Sequence, residues 1–162
     1  MDDRDELSRR LWLLREQMEQ LVCALDIQQL VLANSRTRWL PMVTDNVEQL
    51  VDDIRASDTD RVAASQQVAR RLGLHGDATL TELAAAVGEP YEGIWRQQRL
   101  HLLGLQAEVE EITSSNRELS RRGVAAAREI LGYLDGDAHD TYDPHGGTQR
   151  LAPTSRRFDR TA

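Results

Sequence analysis

Apolar residues recur at alternating intervals of four and three along most of the chain. The pattern runs with one polar break from Leu7 to Leu32 and resumes at Leu40. This spacing places apolar side chains on one face of an α-helix and is typical of helices that pack lengthwise against each other. The sequence therefore predicts a first helix over about residues 5–33 and a second over about residues 37–72.

The end of the first helix and the start of the second are marked by polar residues. Asn34 tolerates the left-handed conformation, so we expect it to stop the first helix. Ser35 or Thr37 is then expected to cap the second helix through its hydroxyl oxygen.

A short third helix is predicted between two glycine-containing turns. Gly73 is expected to end the second helix. The sequence from Thr79 to Glu82 has the spacing of a capping box, in which a hydroxyl and a carboxylate each bond an unpaired backbone amide. We therefore predict a helix over about residues 79–87.

The clearest pattern belongs to a last helix, predicted over about residues 90–134. Pro90 suits its first turn, and the alternation of four and three continues to Tyr133. Asn116 interrupts it, at a position otherwise reserved for apolar side chains and at the end of the weak helix formers 113–116. Because this helix is the longest, the sequence predicts that it outruns its partners and leaves apolar positions uncovered.

These elements predict an all-α fold, an elongated antiparallel bundle of three long helices plus one short helix over residues 1–134. The 4% aromatic content fits helices packed through aliphatic side chains. Residues 135–162 hold three of the ten glycines and two of the four prolines, with few aliphatic residues. Because this composition cannot bury enough apolar surface to fold, it predicts a flexible, disordered C-terminal tail.

Charge and cysteine content narrow the class of protein. The net charge of −7 argues against nucleic acid or an anionic membrane as partner, since both attract positive charge. Cys23 is the single cysteine, so no internal disulfide can form, and its place in the apolar pattern predicts a buried thiol. The N-terminal sequence has no hydrophobic signal segment, and no apolar run is long enough to span a membrane. We therefore expect a cytoplasmic protein without membrane insertion.

The sequence lacks the motifs of the main enzyme classes. None of its four histidines has an Asp or Glu three residues before it, the pattern that marks metal sites in helical bundles. There is no Gly-rich phosphate loop and no nucleophile with an evident base. We expect no enzymatic activity, no cofactor and no metal.

Three stretches of the chain have a distinctive sequence, LVLANSRTRWL at 30–40, EEITSSNRELSRRGVAAAREIL at 110–131 and TYDPHGGTQR at 141–150. Together they resemble the FlgN-type flagellar export chaperones. The resemblance implies a cytosolic, ATP-independent chaperone. It would bind the terminal helical segment of flagellar hook-filament junction proteins and deliver them to the type III export gate.

The resemblance also implies site residues. Asn116 followed by Leu119 matches a motif of the family's C-terminal helix, and Tyr142 with Gly146 matches its tail. Tyr142 would dock on the export gate. Arg121 and Arg122 depart from the more apolar surface expected in the family. The client-binding residues would be Ile112, Asn116, Leu119, Gly123, Ala126, Ile130 and Leu134.

Two other interpretations of these residues remain open. Asn116 could bond a neighbouring helix of the bundle, while Ile130 and Leu134 pack back on it. The helices could also pair between copies, which would make a homo-oligomeric coiled-coil scaffold or adaptor. A chaperone should be a monomer or small homo-oligomer that takes up a client, whereas a scaffold should be a stable oligomer alone.

Overall fold

The computed structural model describes residues 2–136, with side chains through residue 132. Within this range the chain forms four α-helices, one turn of 3₁₀ helix and no strand, which confirms the all-α class. The predicted helices end within three residues of the observed ones. The predicted tail lies outside the described residues from residue 137 onward. The elements are α1 (Asp3–Ala33), the 3₁₀ turn (Thr37–Trp39), α2 (Leu40–Leu72), α3 (Leu80–Val87) and α4 (Tyr91–Gly136).

Contacts divide the chain into two compact units, the first ending at Arg121 and the second beginning at Arg122. The first unit contains α1, α2, α3 and the part of α4 up to Arg121. In the second unit the structure describes the rest of α4, and every side chain of residues 122–132 is exposed. We call residues 122–132 the exposed α4 segment.

Within the first unit, α1 and α2 run antiparallel. Arg10 donates to Asp60 at 2.8 Å near one end of the pair, and Gln28 donates to Thr44 at 3.1 Å near the other. As residue numbers rise along α1, their partners' numbers fall along α2. Two long helices joined by a short turn are expected to pair in this way.

The first-unit part of α4 runs parallel to α1 in a constant register. Tyr91 donates to Asp5, and Gln29 donates to Ser115, each across 86 residues of sequence. The same offset places the last residue of α1 level with Leu119. The three long helices therefore run up, down and up, so each is antiparallel to the next.

The apolar core lies where α3 meets the start of α4. Trp95 is fully buried there, and its indole N–H donates to Ser8 Oγ at 2.9 Å. Tyr91, one turn earlier, donates to Asp5 at 2.6 Å, and this hydrogen bond raises the pKa of the Tyr91 phenol. All four helices supply buried residues to this cluster. They are Leu7, Leu11, Ala64, Val68, Ala69, Leu83, Ala84 and Trp95.

The predicted signals around α3 are present. Gly73 ends α2 in the left-handed conformation, at φ 68°. The Thr79 backbone N–H donates to Glu82 Oε2 at 2.7 Å, and the Glu82 backbone N–H donates to Thr79 Oγ1 at 3.3 Å. The first of these bonds lowers the pKa of Glu82 by stabilising its ionised form. The capping box thus fixes the start of the helix that covers the core.

The turn between α1 and α2 differs from the prediction in two respects. Asn34 has φ −96°, and the left-handed residue is Ser35 at φ 52°. Asn34 acts through its side chain instead, because its Nδ2 donates to the carbonyl of Leu30 at 2.8 Å. No side chain caps α2 at Leu40, since the 3₁₀ turn Thr37–Trp39 leads directly into it.

The predicted burial of Cys23 is wrong, because its thiol is exposed. Leu21, Ala24 and Leu25 form the buried side of α1 at this level. Successive residues of a helix are rotated by about 100°, so position 23 lies well away from all three.

Candidate functional site

Asn116 connects three helices inside the first unit. Its side chain is 5% exposed, and Nδ2 donates to the Leu25 carbonyl at 3.0 Å and to Gln28 Oε1 at 3.1 Å. Gln28 in turn donates to Thr44 Oγ1 at 3.1 Å. A chain of hydrogen bonds therefore runs from α4 through α1 to α2, and it accounts for a polar residue in the apolar pattern of α4.

A second polar contact lies beside the first. Gln29 Nε2 donates to Ser115 Oγ at 2.7 Å. Asn116 Oδ1 is buried and has no hydrogen-bond partner in the described part of the chain. A buried acceptor without a partner costs about 1–3 kcal/mol. We call Gln28, Gln29, Thr44, Ser115 and Asn116 the polar layer. The polar layer specifies how α1, α2 and α4 align along their length, and it adds little to the stability of the bundle.

Replacing Asn116 with Asp should destabilise the first unit by about 2–4 kcal/mol at neutral pH. The amide donates to two oxygens, and a carboxylate would oppose both of them without a proton to share. Urea unfolding followed by circular dichroism measures the change.

Asn116→Leu is the control for this prediction. It removes the buried oxygen that has no partner together with the amide that bonds Leu25 and Gln28, so the two effects oppose each other and stability should stay within about 1 kcal/mol of the parent. If Asn116→Asp unfolds at the same urea concentration as Asn116→Leu, the polar layer does not act as described.

The structure places the predicted client-binding residues in different surroundings. Ile112 and Leu119 are half-buried in the first unit, where Asn116 is buried. Gly123, Ala126 and Ile130 are exposed in the second unit. The side chain of Leu134 and the whole of Tyr142 lie outside the described residues.

The exposed α4 segment presents aliphatic side chains to solvent. Val124 is 49% exposed, Ile130 is 61% exposed and Leu131 is 60% exposed. A Cβ added at Gly123 would meet no atom within 4 Å, so the backbone is open to close approach there. Residues of this kind on a continuous helix offer a surface suited to another helix.

Val124 was missed by the sequence analysis, and Leu131 was expected on the uncovered end of the last helix but was not counted among the client-binding residues. The alternation of four and three traces one line along the helix and includes only Ile130 of the three exposed aliphatic residues. Val124 and Leu131 follow Gly123 and Ile130 by one position, so they broaden the apolar surface to one side. Their aliphatic side chains were the sequence signal that could have placed them on this surface.

The described residues offer little for catalysis. Within residues 2–136 no group of three His, Cys, Asp or Glu side chains could hold a metal ion. No helix in that range has the length and apolar character needed to cross a membrane. The described helices instead present side chains that pack against each other or face solvent.

The comparison with protein families is decisive for the class of protein. A family model described as "FlgN protein" matches residues 1–150. The chain belongs to the FlgN family. FlgN proteins are flagellar export chaperones, and the family is not one of enzymes. No curated protein and no solved structure matches the chain.

The FlgN match agrees with the resemblance found in the sequence. It spans the first unit and the exposed α4 segment, and it extends over Tyr142. FlgN membership implies that the chain binds flagellar export substrates and serves flagellum assembly and protein export.

Proposed function

We propose that this FlgN protein is a cytoplasmic, ATP-independent chaperone of the flagellar hook-filament junction proteins. It binds the terminal helical segment of these clients and delivers them to the type III export gate. The observation that carries the proposal is the exposed α4 segment, on which Val124, Ile130 and Leu131 are each about half exposed or more.

The binding step is the packing of an amphipathic client helix on the exposed α4 segment. Burying a fully exposed aliphatic side chain contributes about 1.5–3 kcal/mol, so each of these half-exposed residues contributes roughly half of that toward reversible capture. Gly123 and Ala126 let the two backbones approach closely. The client is released by competition at the gate, and no nucleotide takes part.

The remaining α4 residues have graded roles in this proposal. Leu119 is half-buried and level with the end of α1, so it lies at the border between bundle and client. Ile112 is also half-buried, and Leu134 continues the same line of positions. We assign Asn116 to the register of the bundle rather than to client contact, because its amide is already bonded to α1.

Tyr142 is the proposed contact to the export gate. The proposal rests on the resemblance of TYDPHGGTQR to the tail of FlgN proteins and on the match of the family model to residues 1–150. A tyrosine offers a large apolar ring with a polar tip at low entropic cost, which suits a short linear contact.

The test uses purified chain, a junction protein and the cytoplasmic part of the gate. The parent should form a complex of defined mass with the junction protein, without ATP, and lose it when the client's terminal helix is deleted. Tyr142→Ala should keep client binding and lose recruitment of the gate. Light scattering after size exclusion measures each mass. A chain that is a stable oligomer alone and ignores the junction protein is the scaffold instead.

A further inference from the structure

An uncharged apolar strip lies on the surface of α4 within the first unit. Residues 100–107 read LHLLGLQA and contain neither an acidic residue nor an arginine. Leu100 is 64% exposed and Leu103 is 47% exposed. Gly104 has open space where a Cβ would stand, and Ala107 is exposed as well. We call Leu100, Leu103, Gly104 and Ala107 the outer strip.

The outer strip faces away from the bundle. Its members follow each other at intervals of three, one and three residues, which keeps them on one face of the helix. The middle of that face lies about 180° around α4 from Gln98 and Asn116. Those two residues are 2% and 5% exposed, so they mark the side that packs on the other helices. The described part of the chain therefore leaves the outer strip open to solvent.

Charged residues of opposite sign stand at the two ends of the outer strip. Residues 96–99 hold Arg96 and Arg99, and residues 108–111 hold Glu108, Glu110 and Glu111. The two groups are equally far from the point midway between residues 103 and 104. A second copy that runs antiparallel, with a two-fold axis at that point, would bring each arginine group level with a glutamate group. A parallel copy would bring like charges together, which is unfavourable.

The apolar residues also match under this symmetry. Leu100 would lie level with Ala107 of the second copy, so a large side chain meets a small one. Leu103 and Gly104 lie beside the axis, where each would meet its own counterpart. The two glycines carry no side chain, so the backbones can approach closely there. The same pairing therefore satisfies both the charges and the packing.

We propose that the outer strip joins two copies of the chain into an antiparallel dimer with two-fold symmetry. The dimer goes beyond the proposed function and does not depend on it, because the outer strip contains none of the residues assigned to the client. The two ends of the strip complement each other, which favours a second copy as the occupant. Since each copy contributes only two leucines, the dimer is weak, with a dissociation constant on the order of 100 µM.

Sedimentation equilibrium of the full chain tests the dimer. Between about 10 µM and about 1 mM, the average mass should rise from one chain toward two. Leu100→Asp should raise the dissociation constant more than ten-fold, because the dimer would enclose two carboxylates that have no partner. Circular dichroism should show unchanged helix, since Leu100 is 64% exposed. A parent that keeps the mass of one chain over the whole range overturns the proposal.

Ile27→Asp is the control for net charge. Ile27 is 46% exposed on α1, and its replacement adds the same negative charge away from α4. It should dimerise as the parent does, and an equal weakening in both variants contradicts the outer strip. Both variants should also keep binding to the junction protein. If Leu100→Asp alone loses that binding, the strip serves the client and the dimer proposal fails.

A charge exchange tests the register independently of the leucines. Arg99 and Glu110 are eleven residues apart, so they lie within about 20° on the same edge of α4. In the dimer, Arg99 of one copy and Glu110 of the other are about 3 Å apart along the helix axis, and the contact forms twice. Arg99→Glu should weaken the dimer about five-fold, and adding Glu110→Arg should restore it. A double variant no tighter than Arg99→Glu overturns this register.

Engineered cysteines test the orientation. Cys23, which is exposed, is first replaced by serine. Gly104→Cys should then form a disulfide between copies under mild oxidation, because the two thiols lie beside the axis. Ser114→Cys should not, since its counterpart in an antiparallel dimer is about 32 Å away along the helix. Electrophoresis without reductant measures both. Cross-linking through Ser114→Cys, or no cross-linking through Gly104→Cys, contradicts the antiparallel dimer.

Discussion

Ile130→Asp should reduce the affinity for a junction-protein client by about 100-fold or more while leaving the helical content unchanged. The side chain is 61% exposed, so a carboxylate there is well hydrated in the free chain and disturbs no described packing. Binding of an apolar helix face would strip that water away without supplying a partner, which costs several kcal/mol. Calorimetric titration measures the affinity, and far-ultraviolet circular dichroism measures the helix.

Leu100→Asp is the matched control for Ile130→Asp. Leu100 is 64% exposed and lies on the same helix, within the first unit and outside the exposed α4 segment. It should bind the client as the parent does. Equal loss of affinity in both variants would mean that an acidic residue anywhere on α4 weakens binding, and Ile130 would then lose its special role.

Trp95→Ala should destabilise the first unit by about 3–5 kcal/mol, the range for removing a large buried side chain. Trp95 is 0% exposed in the cluster shared by all four helices, so its loss leaves a cavity that rigid helices cannot close. Ser8 also loses the indole N–H bonded to its hydroxyl. Because a domain of this size has a free energy of unfolding of about 5–15 kcal/mol, much of it would disappear.

The control is Trp12→Ala, which removes the same side chain from a surface position. Trp12 is 53% exposed, with the Arg15 guanidinium 5.2 Å from its ring centre. Its loss should cost less than about 1 kcal/mol. Urea unfolding, followed by circular dichroism because the variants differ in tryptophan fluorescence, compares the two. A Trp95→Ala midpoint no lower than that of Trp12→Ala would contradict the assigned core.

The helices were predictable because their signals are local. The capping box from Thr79 to Glu82 and the glycine at position 73 each determine a helix end through atoms only a few residues apart. The turn after α1 was harder, because Asn34 and Ser35 can both adopt a left-handed conformation. In the structure the Asn34 side chain bonds the Leu30 carbonyl, and Ser35 adopts the left-handed conformation.

The surroundings of the candidate site were less predictable. The apolar pattern of α4 identified one continuous line of residues along the helix. It could not identify which of these residues pack against another helix and which face solvent. That depends on the offset of 86 residues between α1 and α4, which is a tertiary property. Likewise, no local signal pairs Asn116 with Gln28 and Thr44. Cys23 was misplaced for a similar reason, since its burial depends on which side of α1 meets α2 and α4.

Because of the polar layer, the helices of the first unit should separate more easily at the end near Asn116 than at the end near Trp95. Around Trp95 the helices are joined mainly by apolar packing, whereas around Asn116 they are joined by amides that can exchange their bonds for water. Local opening in proteins begins where apolar contacts are few. Backbone amides near the α1–α2 turn should therefore exchange with deuterium sooner than those beside α3, and the chain would melt from that turn inward.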